Sequence, residues 1–386
     1  MMKKTLLVLA TLAATAGVAS AANVTVYGTA DLGLSYEYAK AKVNGVSAKE
    51  DVYGLESGNL GASKFGLKGT EELGNGLSVG FKLENGFAAD TGKLKTDGRI
   101  FDREASLNVS GAFGTVYAGR MGALSSGAGT LDIFQANADV FDGGVGNIGA
   151  GYWHGTGRYD NTVAYVTPDM AGLKLYAQYG FQNNGTEEAS ARDNDRYWGI
   201  GATYQNGPLG LVAVVDSIQP AHIDGGLNQD SFVLSFGGNY DLGSAHPFFG
   251  VQYGKHMNAF GGVDTNVEFD EKTVGLGDIK GYALSLGSTF DLPCGTLTGV
   301  LYYAHSKGDL SLDDEDAKVT AELDKGNLYG VGLVHAYPLS KRTTVYTGVG
   351  YTYGKFDGSV GVNGATGDIA VKTKAAQVLF GLNHNF

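Results

Sequence analysis

Charged and small polar residues share every second position on both sides of the central turn in the segment 63–86, which reads SKFGLKGTEELGNGLSVGFKLENG. Lys64 and Lys68 share one phase before the central Gly-Asn-Gly, and Lys82 and Glu84 share one phase after it. The alternate positions are mostly apolar. A period of two is the β-strand period, so the charges project from one face of a hairpin. A strand face with these charged side chains is suited to contact with water.

Side chains of the types used in catalytic or metal sites lack the spacing that such sites need. The sequence has no nucleophile elbow, zinc motif or phosphate-binding loop, so we expect no enzyme. A hydrolase with Ser, His and Asp on different strands is the alternative. The acidic run 309–322 lacks the order of a calcium loop, and the seven histidines lack metal spacing. The single Cys294 cannot form an internal disulfide. We therefore expect neither a metal nor another cofactor.

The elements that position the charges are strands joined alternately by short turns and long polar connections. Five prolines lie in turn-like stretches, and EELGNG and SGAFG supply two earlier turns. Because proline cannot donate to a β-ladder, it belongs between strands. Seven short turns imply eight strand pairs and hence sixteen strands. The predicted long connections are 39–58, 88–98, 123–157, 183–195, 220–229, 258–278, 308–325 and 357–372.

Apolar and polar residues also alternate in other runs, such as 173–179 and 282–291. In hydrocarbon every backbone polar group must be paired internally, which leaves only helices and closed barrels. The pattern therefore predicts an all-β protein, a sixteen-stranded antiparallel transmembrane β-barrel with an apolar outside and a polar lumen. A soluble β-sandwich does not explain tight turns at one end and long loops at the other. The run 297–304 is apolar in both phases, and we expect an infolded loop to cover its inner face.

The N-terminal segment is typical of an exported protein. MMKKTLLVLATLAATAGVASA has a charged start, an apolar core and small residues at its end. Residues 1–21 are therefore predicted to be a cleaved signal peptide, and residues 22–386 the barrel. An anchoring helix is the alternative, but the apolar run is short for a bilayer span. The formal net charge of −12 argues against nucleic acid as a partner.

Several segments of the chain resemble a known family. They are the mature start NVTVYGTADLGLSY, the hairpin SKFGLKGTEELGNGLSVGFKLE, the pair FGTVYAGR and RYDNTVAYVTPDMAGLKLYAQYG, and the terminus FGLNHNF. They resemble the general porins of Gram-negative bacteria, in particular the β-proteobacterial, neisserial-like branch. The resemblance implies a homotrimer of barrels, each narrowed by a third external loop folded into its lumen. Here that loop is 123–157, and the final Phe386 resembles the signal read by the outer-membrane assembly machinery.

The resemblance also implies which residues form the constriction. They are three acids on the third loop and three bases on the facing wall: Asp132, Asp139, Asp142, Lys64, Arg103 and Arg158. Alternation independently turns Lys64 and Arg158 inward. Arg103 shares its phase with Leu107 and Val109, so simple alternation turns it outward. A bulge, or a wall covered by the loop, would reconcile its position with the family pattern.

The function implied by the resemblance is passive diffusion of ions and small hydrophilic solutes through a water-filled channel in the outer membrane. A substrate-specific channel is one alternative, and Tyr176, Tyr302 and Trp153 are candidates for its aromatic track. A barrel acting mainly as an adhesin or receptor is another. The expected partners are further copies of the chain, outer-membrane lipid, lipopolysaccharide, the assembly machinery and the permeating solutes.

Overall fold

The computed structural model describes residues 24–127, 129–138, 152–153, 157–181, 194–220, 229–264, 266–269, 272–275, 277–313, 318–362 and 365–386. The predicted signal peptide lies outside these ranges. Within them, no helix has the length and apolar character that crossing a membrane requires. Nearly all of the described residues are in β-strands.

Seventeen strands of the described chain join in one antiparallel sheet. They are β1 (Thr25–Val43), β2 (Val46–Ser57), β3 (Lys64–Gly74), β4 (Leu77–Gly86), β5 (Glu104–Gly111), β6 (Gly114–Gly122), β7 (Arg158–Val166), β8 (Leu173–Gly180), β9 (Arg196–Asn206), β10 (Leu209–Gln219), β11 (Phe232–Tyr240), β12 (Ala245–Met257), β17 (Gly277–Leu292), β18 (Gly295–Asp313), β19 (Lys318–Pro338), β20 (Thr343–Val362) and β21 (Ala365–Asn385). Two small hairpins precede β17: β13 (Ala259–Phe260) with β14 (Val263–Asp264), and β15 (Asn266–Phe269) with β16 (Lys272–Gly275).

The first and last strands pair with each other, so the sheet closes into a barrel. β1 pairs with β21 along 29–43. On its other edge β1 pairs first with β3 and then with β2, both antiparallel. β2 and β3 therefore lie end to end as two parts of one barrel strand, and the seventeen strands of the sheet make a barrel of sixteen. The predicted fold class is confirmed.

The break between β2 and β3 is organised by a buried carboxylate. Asp31 is fully buried and accepts hydrogen bonds from the backbone N–H groups of residues 59–61 at 3.1 to 3.2 Å. It also accepts hydrogen bonds from the Tyr346 hydroxyl at 2.7 Å and the Asn383 amide at 2.9 Å. A buried charge is stable only when hydrogen bonds satisfy it. The hydrogen bonds to Asp31 therefore hold the break between β2 and β3 in one conformation.

The tight turns lie where the sequence predicts them, but three of the predicted long loops are wrong. The stretches 39–58, 308–325 and 357–372 are largely strand, because β1–β2, β18–β19 and β20–β21 continue as long hairpins. The β1–β2 hairpin ends in a two-residue turn at Asn44-Gly45, both with positive φ, as such turns require. Beyond the membrane a strand needs no apolar face, so its polar sequence resembles that of a loop.

The apolar phase of the strands faces outward. Leu107 and Leu286 are 61% and 62% exposed, whereas their neighbours Ser106 and Ser285 are buried on the inner face. The same division holds around the barrel, where exposed aromatic and aliphatic side chains alternate with small or polar inner ones. The predicted orientation, apolar outside and polar inside, is confirmed.

The third loop is folded into the barrel. Its short helix, α1 (Phe134–Ala138), contacts β10, β11 and β12 on their inner faces. The Phe134 and Trp153 rings meet edge to face, with centroids 5.3 Å apart. Tyr152 stacks on Tyr302 with ring centroids 4.8 Å apart. An infolded loop thus covers the inner face of the stretch 297–304, as its two-sided apolar sequence predicts.

Candidate functional site

Two carboxylates meet on the inner wall where β4 ends and β5 begins. Glu84 and Glu104 are direct cross-strand partners, and both are buried. Lys82, two residues before Glu84 on the same face, places its Nζ 2.8 Å from Glu104 Oε2 and 3.7 Å from Glu84 Oε2. The ammonium group therefore offsets part of the repulsion between the two acids.

Arg103 completes this group from a position that alternation alone does not predict. Its Nε donates to Glu84 Oε1 at 2.8 Å, and the Tyr27 hydroxyl donates to Glu84 Oε2 at the same distance. β5 begins only at Glu104, so Arg103 precedes the ladder and is not bound by its alternation. Its side chain turns inward, and neither a bulge nor a loop-covered wall is needed.

A second charged group lies beside the first and contains three arginines. Arg120 Nη1 and Arg99 Nη1 both donate to Asp160 Oδ1 at 2.7 Å. Arg120 Nε also donates to the Asp102 carbonyl at 2.7 Å, and its Nη1 reaches the Arg158 carbonyl at 3.4 Å. Arg158 lies within electrostatic range of both Arg103 and Arg120. Lys64 and Asp102 lie within electrostatic range of Glu84 and Arg158, respectively, and we call all of these residues together the charged wall.

The charged wall borders a large cavity in the lumen. The cavity has a volume of about 1040 Å³. Its lining includes Lys64, Lys68, Lys82, Glu84 and Glu104. Lys64 therefore faces the lumen, as its phase predicts. The three predicted bases thus lie in one half of the barrel, with Lys64 on β3, Arg103 just before β5 and Arg158 at the start of β7.

The third loop contacts the charged wall through Thr130. Its hydroxyl donates to Glu104 Oε1 at 2.7 Å, and its backbone N–H lies 3.3 Å from Glu104 Oε2. Asp132, two residues further along, is half-buried. The other two predicted acids, Asp139 and Asp142, lie outside the described residues. Of the loop acids predicted from the sequence, the structure thus describes only Asp132.

The third loop packs against the inner faces of β10, β11 and β12 and contributes to an apolar core. Leu124, Ile133 and Phe134 of the third loop are buried there. Tyr302 and Trp153, proposed for an aromatic track, are 4% and 7% exposed and belong to this core. Tyr176 is half-buried and lies 3.3 Å from the Thr203 hydroxyl. Two of the three rings are therefore unavailable to a solute, which disfavours the aromatic track.

Of the charged wall, the sequence assigned only Lys64, Arg103 and Arg158 to the constriction. Lys82 and Glu84 lie in the inward phase of the first hairpin, and Arg120 ends the FGTVYAGR segment, so a signal for each was present. Arg99 lies in a polar connection and Asp160 near a strand irregularity at Asn161, where φ is positive. Periodicity carries no information at such positions, so nothing in the sequence marked these two.

The chain is similar to known proteins in sequence. The chain matches the profile of a family described as Gram-negative porin over residues 8–358. It is 31% identical over 376 residues to an outer membrane porin protein of Bordetella pertussis, covering 89% of this chain and 93% of that protein. It is 28% identical over 354 residues to major outer membrane protein P.IB of Neisseria meningitidis serogroup B, covering 91% and 93%.

A solved structure is similar over the same extent. An anion-selective porin from Comamonas acidovorans superposes with a TM-score of 0.65 and 26% sequence identity. The match covers 95% of this chain and all of that one. The similarity in sequence and the similarity in fold therefore both extend over almost the whole chain.

Proposed function

Because the chain belongs to the Gram-negative porin family, we propose that its charged wall and its third loop together form the constriction of its channel. The family and the closed barrel make it an outer-membrane porin, a channel for passive diffusion. The proposed constriction rests on one observation: the charged wall lies beside the lumen cavity and contacts the third loop through Thr130.

The charges of the wall do not cancel. Its bases are Lys64, Lys82, Arg99, Arg103, Arg120 and Arg158, and its acids are Glu84, Asp102, Glu104 and Asp160. Six bases and four acids leave an excess of two positive charges (6 − 4 = 2). Carboxylates of the third loop, Asp132, Asp139 and Asp142, would face this excess. Opposite charges on two sides of a narrow passage produce a field across it.

Such a field selects among solutes without any energy input. Water and dipolar solutes align with it, whereas an apolar solute displaces ordered water without compensation. Fixed charges and pore width together then determine which ions and small hydrophilic solutes pass. The ion pairs hold the charged groups in place, so the field is preorganised.

The test is a pair of variants with opposite expected effects. The double variant Lys64→Gln with Arg103→Gln removes positive charge from the wall. We expect the reversal potential of this variant in a bilayer salt gradient to shift toward cation preference. Asp139→Asn with Asp142→Asn removes negative charge from the loop and should shift the potential toward anions. Lys341→Gln, in a turn between β19 and β20, is the control and should leave the potential unchanged. Shifts of equal sign, or no shift, would contradict the proposal.

We also propose a homotrimer that contacts outer-membrane lipid and lipopolysaccharide and is inserted by the assembly machinery. Family membership supports this proposal. The mass of the purified protein in neutral detergent, measured by light scattering with and without heating, tests the trimer. A single-chain mass before heating would contradict it.

A further inference from the structure

One edge of β2 has no partner strand. β2 pairs with β1 along the whole of 46–57 without a register shift. β4 pairs with β3 and ends at Gly86, opposite Lys64, so it does not continue alongside β2. Among the described strands, only β1 pairs with β2. We call the side of β2 that faces away from β1 the free edge.

The free edge stands in open space over most of its length. All eight residues of 46–53 are exposed, although their side chains alternate between the two faces of the strand. Tyr53 is 85% exposed, and a Cβ on Gly54 would meet no atom within 4 Å. The connection 88–103 contacts the base of β2, where the Ala89 N–H donates to the Ser57 hydroxyl at 2.9 Å. Above this point the free edge faces water.

Every second residue of β2 turns its backbone N–H and C=O groups to the free edge. Val43 and Val46 flank the two-residue turn at Asn44-Gly45, so the Val46 N–H points to β1. Because these groups alternate along a strand, the next residue points the other way. The residues whose backbone groups face the free edge are Ser47, Lys49, Asp51 and Tyr53. Such a row of open donors and acceptors can pair with a further strand.

The free edge lies beyond the membrane, at the end of the barrel that carries the long hairpins. Tyr36 and Tyr53 are opposite each other on the outer face, and the exposed Leu34 and Leu55 form the next outward pair below them. Aromatic residues mark the membrane–water interface of such barrels, and the long connections lie outside the cell. The inference rests on the outer-membrane location of the barrel, which presents 46–52 to the external medium.

The two faces beside the free edge differ in charge. On the inner face, β1 from Gly33 onward and the whole of β2 carry three acids and no base. These acids are Glu37, Glu50 and Glu56. On the outer face, the exposed Tyr53 and Leu55 are apolar. An added strand places its side chains beside those of β2, face by face. The matching strand therefore has basic residues on one face and apolar residues on the other.

The charges at the centre of the free edge disfavour a second copy of the chain as the partner. Lys49, Glu50 and Asp51 are consecutive and exposed. Charged side chains on an edge strand oppose pairing with further copies of the same protein. A segment with complementary charges does not meet this obstacle.

We propose that the free edge binds an extended basic segment of a protein outside the cell, which adds to the sheet as a further strand. Main-chain hydrogen bonds to β2 supply affinity in this mode of recognition, and the side chains of alternate residues supply specificity. Here the acids of the inner face select basic residues.

The experiment uses a fluorescent synthetic peptide of about ten residues in which lysine and valine alternate. The refolded barrel in neutral detergent is titrated against this peptide, and fluorescence anisotropy measures binding. Ser47→Pro with Lys49→Pro removes two N–H donors of the free edge, a change that an edge strand tolerates. Ser47→Thr with Lys49→Thr is the matched control, because it removes the same charge and keeps both donors. We expect about tenfold weaker binding by the proline variant, and no weakening in the control.

A second variant tests the preference for basic residues. Glu50→Gln with Glu56→Gln keeps the backbone and removes two acids of the inner face. We expect it to bind the lysine–valine peptide about threefold more weakly, with a smaller dependence on salt concentration. A peptide with glutamate in place of lysine should bind the unaltered protein more weakly than the basic peptide does.

The mode of binding has its own readout. Amide hydrogen exchange in 47–53 should slow when the lysine–valine peptide is added, because backbone N–H groups of the free edge become hydrogen-bonded. The same peptide with N-methyl groups on its four central residues has both of its edges blocked and should not bind. This comparison also tests the proposal if the proline variant does not refold.

Several outcomes would overturn the proposal. Equal binding of the N-methylated peptide, or equal binding by the proline variant, would mean that charge alone attracts the peptide. A changed oligomeric mass of the proline variant without peptide would assign the free edge to a contact between copies. Single-channel conductance should be the same in the proline variant and the threonine control. A loss of peptide binding therefore leaves the channel proposal intact, and a failure of the constriction tests leaves this one intact.

Discussion

At the scale of single residues, the charged wall depends on a few short contacts between different strands. Glu104 is the central example, because it is almost fully buried and accepts hydrogen bonds from Lys82, Ser106 and Thr130. It therefore connects the wall to the third loop. Two different substitutions can remove the charge of Glu104 and its contact with the third loop separately.

We expect Glu104→Gln to shift ion preference toward anions, because Lys82 loses its nearest carboxylate while the side chain keeps its shape. Thr130→Val is the matched control, since it removes the loop contact but no charge. The ratio of anion to cation permeability in a bilayer salt gradient is the measurement. A shift of similar size in Thr130→Val would mean that loop position, and not charge, determines the preference.

At the scale of elements, the interrupted strand depends on Asp31. We expect Asp31→Ala to lower the free energy of unfolding by about 3 kcal/mol, because buried N–H groups of residues 59–61 lose their acceptor. Asp31→Asn keeps one acceptor oxygen and should cost less. Denaturant unfolding in detergent measures both. Equal stability of the two variants would contradict the role of the carboxylate.

The third loop is held by its fit to small inner residues. A Cβ on Gly250 would lie 2.9 Å from Trp153 Cη2 and 3.2 Å from Ala138 Cβ. We expect Gly250→Ala to displace the loop, to cost about 1–3 kcal/mol and to change the single-channel conductance. Gly299→Ala is the control, because its Cβ would meet nothing closer than 3.5 Å. An unchanged conductance in Gly250→Ala would mean that the loop does not limit the current.

At the scale of the whole molecule, the two ends of the chain close the barrel together. Gly28 and Phe386 exchange two backbone hydrogen bonds of 3.0 Å, and the Phe386 ring lies over Gly28. The terminal aromatic residue therefore has a structural role as well as the proposed role in assembly.

These two roles predict different behaviour for two variants. Phe386→Ala keeps the backbone bonds, so we expect it to refold in detergent but to reach the outer membrane in reduced amount. Deletion of Phe386 removes the bonds as well and should also slow refolding. The fraction of heat-modifiable barrel on gels, in cells and after refolding, is the measurement. Normal assembly of Phe386→Ala in cells would contradict the assembly signal.

The sequence alone determined the barrel, its sixteen strands and the face that each strand turns to lipid. The face pattern repeats every two residues along the strands, and tight turns mark every second connection. Local patterns in the sequence are therefore enough to predict both the faces and the number of strands. The family resemblance and the inward phase of Lys64 rested on the same regular segments.

Only the tertiary structure decided which charges meet and where the regular pattern stops. Arg103 turns inward because β5 begins one residue later. Arg99, from a connection, and Arg120 meet at Asp160, where the register of β6 and β7 shifts. The sequence also did not predict the extra length of three hairpins, because a strand that extends into water does not need alternating apolar residues. Contacts between distant segments depend on register and closure, which no local pattern encodes.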